Sequence, residues 1–141
     1  MKQQIFLLLA LFAYMGLYAQ SEIQIKDIVV KPVPVIETDS VTPNAELMSV
    51  MFKVNDITNI ENAYILVGTT ANSDDIAGLE ANITNNGDAY FVNFNGETRQ
   101  IYGNVIEIQI LLDENQMNEF NFITAYAGND TENSNSLIFQ K

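Results

Sequence analysis

Clusters of Asn, Asp, Gly and Pro divide the chain after residue 20 into short apolar segments, and this division limits its fold more than any other feature. Within the segments, apolar and polar residues alternate with the period of two that is typical of half-buried β-strands. On one face of segment 46–54 lie Met48, Val50, Phe52 and Val54. Ser49 and Lys53 lie on the other. About eight such segments, with turn signals about every 8–12 residues, predict an all-β, two-sheet antiparallel sandwich of about 7–8 strands.

Three of these segments read as a meander of consecutive strands. They cover residues 88–94, 97–102 and 105–112, and the turns between them are Asn95-Gly96 and Gly103-Asn104. A two-residue turn of this composition is a strong hairpin signal, because both central residues must adopt positive φ. Further strands are predicted from Ile23, at 63–70, at 120–127 and at 137–140, whereas 76–83 could be one helical turn or extended.

The alternation also predicts which side chains form the core. These are Val50, Phe52, Ile65, Val67, Ile106, Ile108, Ile110 and Phe122. Lys31-Pro32-Val33-Pro34 interrupts the first strand, and because proline cannot donate to a ladder, we expect this strand at a sheet edge or at a switch between sheets.

Residues 1–19 have the order of a signal peptide. Lys2 gives a basic start, residues 5–17 form an apolar run that is too short to span a bilayer, and Ala19 is the small residue at the expected cleavage position. We therefore expect a secreted protein with one domain at residues 20–141. After the leader is removed, no second long apolar segment predicts a membrane span.

The charge and the absent residue types exclude several function classes. Without Lys2, five cations stand against 18 acids, a net charge of −13, which argues against nucleic acid and anionic lipid as partners. The chain has no His and no Cys, so it can form neither a Ser-His-Asp triad nor a Cys nucleophile. Paired carboxylates could still serve a glycosidase, but no motif specifies a reaction, and we expect no enzyme.

The stretch from Phe120 to Phe139 resembles the last two strands of immunoglobulin-like and fibronectin type III-like domains of secreted bacterial proteins. An aromatic-x-aromatic strand leads into an Asn/Asp/Gly loop and a short apolar strand. Phe120 stands near the position of the corner tyrosine but has no hydroxyl, and the chain contains neither the core Trp nor the disulfide of immunoglobulin domains. The resemblance implies binding, spacing or assembly rather than catalysis.

The leader, which ends Leu-Tyr-Ala-Gln, resembles those of Gram-negative bacteria. The predicted location is therefore the periplasm or the cell surface, and the predicted function is a non-enzymatic interaction or structural module. Its partner would be a protein or a cell-envelope component. The alternative is a carbohydrate-binding or calcium-dependent adhesion domain.

Loop carboxylates are the only candidate metal ligands, and no cofactor other than calcium is suggested. Calcium takes six to eight oxygen ligands. In a sandwich the loops gather at two ends, so Asp74 and Asp75 would meet Asp113 at one end, and Asp56 would meet Asp130 at the other. A solvated acidic loop is the competing interpretation at each end.

Two other surfaces are candidates for binding. A platform for stacking sugars could be built from Tyr90, Phe91, Phe94, Tyr102 and Tyr126. The final strand, 137–140, has no proline and is guarded only by Lys141. We therefore expect it to be the edge at which a partner adds a strand.

Overall fold

The computed structural model describes residues 21–34 and 44–141. The predicted signal peptide, 1–19, lies outside this part of the chain. The described residues contain nine strands: β1 (Ile25–Val33), β2 (Glu46–Val54), β3 (Asn62–Gly68), β4 (Ala77–Asn85), β5 (Tyr90–Phe94), β6 (Glu97–Ile101), β7 (Val105–Leu112), β8 (Phe122–Gly128) and β9 (Leu137–Gln140). A 3₁₀ turn, Ile57–Asn59, follows β2, and a short helix, α1 (Glu114–Glu119), precedes β8.

The strands form two antiparallel sheets. The smaller sheet has the order β1-β2-β7, and the larger has the order β6-β5-β4-β3-β8-β9. The predicted all-β, two-sheet antiparallel architecture is therefore confirmed. Neither sheet closes on itself, so β1, β7, β6 and β9 are edge strands.

The core lies between the sheets, and alternation determines which residues enter it. Met48, Val50, Phe52 and Val54 of β2 are all buried. Seven of the eight predicted core residues are buried; Phe122 was predicted wrongly. Strand β8 is apolar on both faces, and it turns Ile123, Ala125 and Ala127 inward, leaving Phe122 half-buried on the outside. Where both faces are apolar, period alone cannot fix the register.

The predicted three-stranded meander is only half correct. β5 and β6 form the expected hairpin around Asn95-Gly96. After the Gly103-Asn104 turn, in contrast, the chain crosses to the smaller sheet, where β7 pairs along its length with β2. A single bridge, Tyr102 to Val105, is what remains of the expected second hairpin. The turn signal is local, whereas the choice of sheet depends on where the apolar face of β7 can be buried.

β1 confirms the edge expected from its prolines, although the strand is not interrupted. It continues through Pro32, which is in register with Met48 of β2. Among the described residues β2 is its sole sheet neighbour, so a residue without an N–H is tolerated there. A bulge shifts the register between Lys26 and Val29, and Asp27 within it has φ 60°.

Tertiary contacts resolve the ambiguous segment 76–83, of which residues 77–83 are extended and lie in β4, between β3 and β5. The connection before β8 forms α1, where the Asp113 carboxylate accepts from the Gln116 N–H and the Gln116 side chain accepts from the Asp113 N–H. Within residues 21–34 and 44–141, no helix has the length and apolarity to cross a bilayer.

Candidate functional site

The outward side of the smaller sheet carries apolar side chains where a solvated face would carry polar ones. Since Met48 and Val50 of β2 point into the core, Leu47, Ser49 and Met51 point outward. The register places Leu47 between Val33 and Leu111, and Met51 beside Val29. Val29 and Leu111 are 47% and 46% exposed. We call this surface the three-strand face and define it as Lys26, Val29, Lys31, Val33, Leu47, Met51, Lys53 and Leu111.

The three-strand face also gathers positive charge in an acidic protein. Lys26, Lys31 and Lys53 are three of the four lysines in the described part of the chain, while the full chain has a net charge of −12. Asp27 lies 4.0 Å from Lys53, and both side chains are largely exposed, so this ion pair is weak. The outward side of this sheet therefore combines apolar and cationic groups with Ser49, Gln109 and the Glu107 carboxylate.

Arg99 of β6 lies at the β7 edge of this face. Its Nη2 donates to Gln109 of β7 at 3.0 Å, and its Nη1 lies 3.9 Å from Glu107. Glu107 in turn accepts from the Ser49 hydroxyl at 2.8 Å. The guanidinium also lies 5.9 Å from the centre of the Phe94 ring, within the range of a cation–π contact. The β5–β6 hairpin thus holds the free edge of β7.

A cleft of about 380 Å³ lies at one end of the three-strand face. Lys26 and Lys53 line one side, and the Gly103-Asn104 turn lines another. Asn55 closes the end through two hydrogen bonds, since its Oδ1 accepts from Gln24 N at 3.0 Å and its Nδ2 donates to Glu22 O at 2.8 Å. The lining of the cleft thus combines polar and cationic residues with Ile25 and Val54.

The loops predicted to meet at one end of the sandwich do meet, but their carboxylates accept hydrogen bonds from different groups. Gln116 Nε2 donates to the Ile76 carbonyl at 3.3 Å, which joins the two loops. Asp75 accepts from the hydroxyl and N–H of Thr69, and these bonds lower the pKa of its carboxyl below the ordinary 3.8. Asp113 caps α1. Asp74 is exposed, with its Cβ beside Gly78.

The other predicted pair shows the same division. The loops are joined by Asn129 Nδ2, which donates to the Asn59 carbonyl at 2.9 Å. Asp56 accepts from the Thr58 hydroxyl and N–H, which lowers the pKa of its carboxyl, and Asp130 is exposed. Among residues 21–34 and 44–141, no group of three acidic side chains lies close enough to hold a metal ion. Calcium binding stays a prediction.

The aromatic residues proposed as a sugar platform do not share one surface. Phe94 is buried and Tyr90 lies opposite buried Ile101, whereas Phe91 and Tyr126 are on the outward side of the larger sheet. Tyr64, which the sequence reasoning missed, stacks on Tyr126 with the ring centres 4.6 Å apart. The stacking therefore covers one face of each ring.

The predicted pairing edge is an edge strand. Within residues 21–34 and 44–141, β9 has β8 as its one neighbour in the sheet. Because Lys141 N–H donates to the Asn121 carbonyl, alternation along the antiparallel ladder turns the backbone groups of Ile138 away from β8. The Ile138 side chain is 45% exposed on the outward side of the larger sheet.

The sequence reasoning did not find the three-strand face. Its signal was present in β2, where Leu47 and Met51 are apolar at the positions opposite the predicted core. The register with β1 and β7 was needed to place Val29 and Leu111 beside them. No protein-family model, curated protein or solved structure gives a significant match to this chain.

Proposed function

We propose that the chain is an exported, non-enzymatic interaction module that binds a protein or another cell-envelope component through the three-strand face. The observation that carries this proposal is the apolar character of the outward side of three strands, where exposed Val29 lies beside half-buried Met51 and exposed Leu111 lies beside half-buried Leu47. Single exposed apolar residues are common, but apolar residues grouped on one sheet face among polar neighbours are typical of an interaction surface.

The strand order supports an immunoglobulin-like identity for the module. In such sandwiches the second strand lies between the first and the fifth, while the third strand pairs with the strands that close the domain. Here β2 lies between β1 and β7, and β3 lies between β4 and β8, with β9 beyond. The β5–β6 hairpin extends the larger sheet. Phe120 is buried near the corner-tyrosine position, where Lys141 lies 4.4 Å from the centre of its ring.

The sequence supports export to the periplasm or cell surface of a Gram-negative bacterium. The basic-apolar-small order of residues 1–19 is that of a leader, and the acidic mature chain suits a protein that stays soluble after export. Intact-mass analysis of the exported protein tests this step. A protein that still begins at Met1 would contradict it.

The docking surface is tested by paired substitutions of equal exposure. Leu111→Glu places a carboxylate on the three-strand face, and Ile138→Glu makes the same change on the larger sheet at nearly the same exposure, 46% against 45%. Each exported variant is used to capture cross-linked partners from its own cell envelope. We expect the partner bands of the wild-type protein to be lost with Leu111→Glu and retained with Ile138→Glu.

The two variants also separate binding from folding. Both positions are on the surface, so both variants should unfold at nearly the wild-type denaturant midpoint. If Leu111→Glu folds and still captures every wild-type partner, the proposed docking surface is wrong.

A second binding mode, strand addition at β9, is favoured by one specific observation. The outward backbone groups of Ile138 leave a free N–H and carbonyl at this edge for an extended peptide. In this mode the larger sheet, rather than the three-strand face, would carry the partner.

A further inference from the structure

The cleft at the end of the three-strand face brings two like charges together. Lys26 of β1 and Lys53 of β2 are direct partners in the register. Side chains in that relation have Cβ atoms roughly 4.5–5.5 Å apart, and like charges placed so are destabilising. The pairing therefore weakens this end of the sheet unless an anion lies between the two ammonium groups.

The backbone next to Lys26 departs from regular strand geometry. The bulge after Lys26 holds Asp27 at φ 60°, a conformation that a non-glycine residue seldom adopts. Bulges bend a strand and re-aim its side chains, and they are enriched at sheet edges and beside functional sites. One carboxylate at 4.0 Å from Lys53 leaves a net positive charge in the cleft.

Uncharged donors also line the cleft. Gly103 and Asn104 form a tight turn with φ 59° and 63°, and both residues line the cleft. In the described part of the chain, their backbone N–H groups and the Asn104 side-chain amide donate to no other residue. Two lysines and a turn with free N–H groups therefore line the same cleft of about 380 Å³.

We infer that this cleft binds an oxyanion, a carboxylate, phosphate or sulfate group, held between Lys26 and Lys53 and by the Gly103-Asn104 turn. Charge-assisted hydrogen bonds from Lys are strongest to such groups. The cleft is at the lower end of the size range of ligand pockets, so it fits an acidic sugar residue, a peptide carboxylate or a phosphorylated headgroup. The inference rests on the proposed function for placing that group on the partner.

The test is a titration of the exported protein with phosphate, sulfate and glucuronate, followed by the amide NMR signals. Ionic strength is held constant with sodium chloride, so that general screening does not change. We expect saturable shifts at Gly103 and Asn104 with half-saturation at about 10 mM or below, the range that two charge-assisted hydrogen bonds give. The strongest of the three ligands identifies the source of the anion.

Matched lysine variants separate a built site from general electrostatics. Lys26→Gln should weaken binding about tenfold, the loss of one charge-assisted hydrogen bond. Lys31→Gln removes the same charge from the same face but outside the cleft, and should change the affinity less than about twofold because salt screens it. Equal weakening by both variants, or shifts that do not saturate, would overturn the inference.

The outcomes also separate this inference from the proposed function. Leu111→Glu lies outside the cleft and should keep anion binding while it loses partner capture. If Leu111→Glu loses capture but the wild-type protein binds none of the three anions, the anion site alone is wrong. If the anions bind as expected but Leu111→Glu captures normally, the cleft stands and the docking surface is wrong.

Discussion

The outward sides of the two sheets differ in how many of their side chains find hydrogen-bond partners or packing contacts within the chain. On the larger sheet, the Thr98 hydroxyl donates to Asn93 at 2.8 Å, and Asn93 Nδ2 donates to the Thr84 hydroxyl at 3.0 Å. Tyr64 and Tyr126 stack on each other. This surface therefore meets many of its hydrogen-bonding and packing needs within one chain, although Ile138 remains 45% exposed.

The loop after β3 also seals part of the larger sheet. Asn72 N–H donates to the Thr124 hydroxyl at 3.0 Å, and Thr124 is almost fully buried although it points outward. Asp75 holds the same loop through Thr69 and Ser73. A loop that folds over a sheet leaves less of that sheet for a partner.

The outward side of the smaller sheet satisfies its side chains only in part, through Ser49, Glu107, Gln109 and Arg99, and the three-strand face remains less complete. It exposes Val29 and Leu111 to water and pairs Lys26 directly with Lys53. Both features are unfavourable in the isolated domain, and both are relieved by a partner that brings apolar area and negative charge. The surface whose side chains lack partners within the chain is therefore the better candidate for binding another molecule.

The largest expected effect tests the core that the two sheets share. Ile108 is fully buried between them, so Ile108→Ala should lower the free energy of unfolding by about 2–5 kcal/mol. Phe122→Ala, on the outward side of the larger sheet, should cost about 1–2 kcal/mol because that ring is half-buried. Urea denaturation measures both. Equal costs would mean that Phe122 belongs to the core after all.

The next effect concerns the contact between the sheets at Arg99. Arg99→Ala removes the bond to Gln109 and the contact with Glu107, and should destabilise the domain by about 1–2 kcal/mol after allowance for partial exposure. Glu97→Ala is the control, since Glu97 contacts Arg99 Nε at 3.3 Å on the exposed side. We expect that variant to stay within about 0.5 kcal/mol of the wild type. An equal loss in both variants would show that the edge of β7 does not depend on Arg99.

A smaller effect distinguishes the two binding modes. Ile138→Pro removes an N–H that points away from β8, so the ladder survives and the stability should fall by less than about 1 kcal/mol. Partner capture should be unchanged if the three-strand face binds. Loss of capture by the folded variant would move the binding site to the β9 edge.

The smallest effect is the pH dependence of the loop that seals the larger sheet. Hydrogen bonds from Thr69 lower the pKa of Asp75 below 3.8, so their contribution to stability is present above that pH and is lost as the pH falls through the lowered pKa. Hydrogen exchange at Asn72 should therefore accelerate, relative to the core, below about pH 4. Asp75→Asn should show weaker protection already at neutral pH. Unaltered exchange in both cases would mean that Asp75 does not hold the loop.

Local sequence determined the elements whose signals are short-range. The bounds of β2 and β9 and the β5–β6 hairpin follow from alternation and from Asn-Gly turn chemistry. The edge position of β1 follows from Pro32, because a residue without an N–H suits an edge. These features depend on neighbours within a few residues and can be derived without knowing the fold.

Which strands pair with one another depends on long-range contacts in the folded chain. The Gly103-Asn104 turn has the same local form whether the next strand pairs with β6 or crosses to β2, and burial of the apolar face of β7 made the choice. The inward turn of Ile123 rather than Phe122 was settled in the same way. The candidate site also arose from pairing, since Lys26 and Lys53 are separated along the chain and become neighbours through long-range contacts that local patterning does not encode.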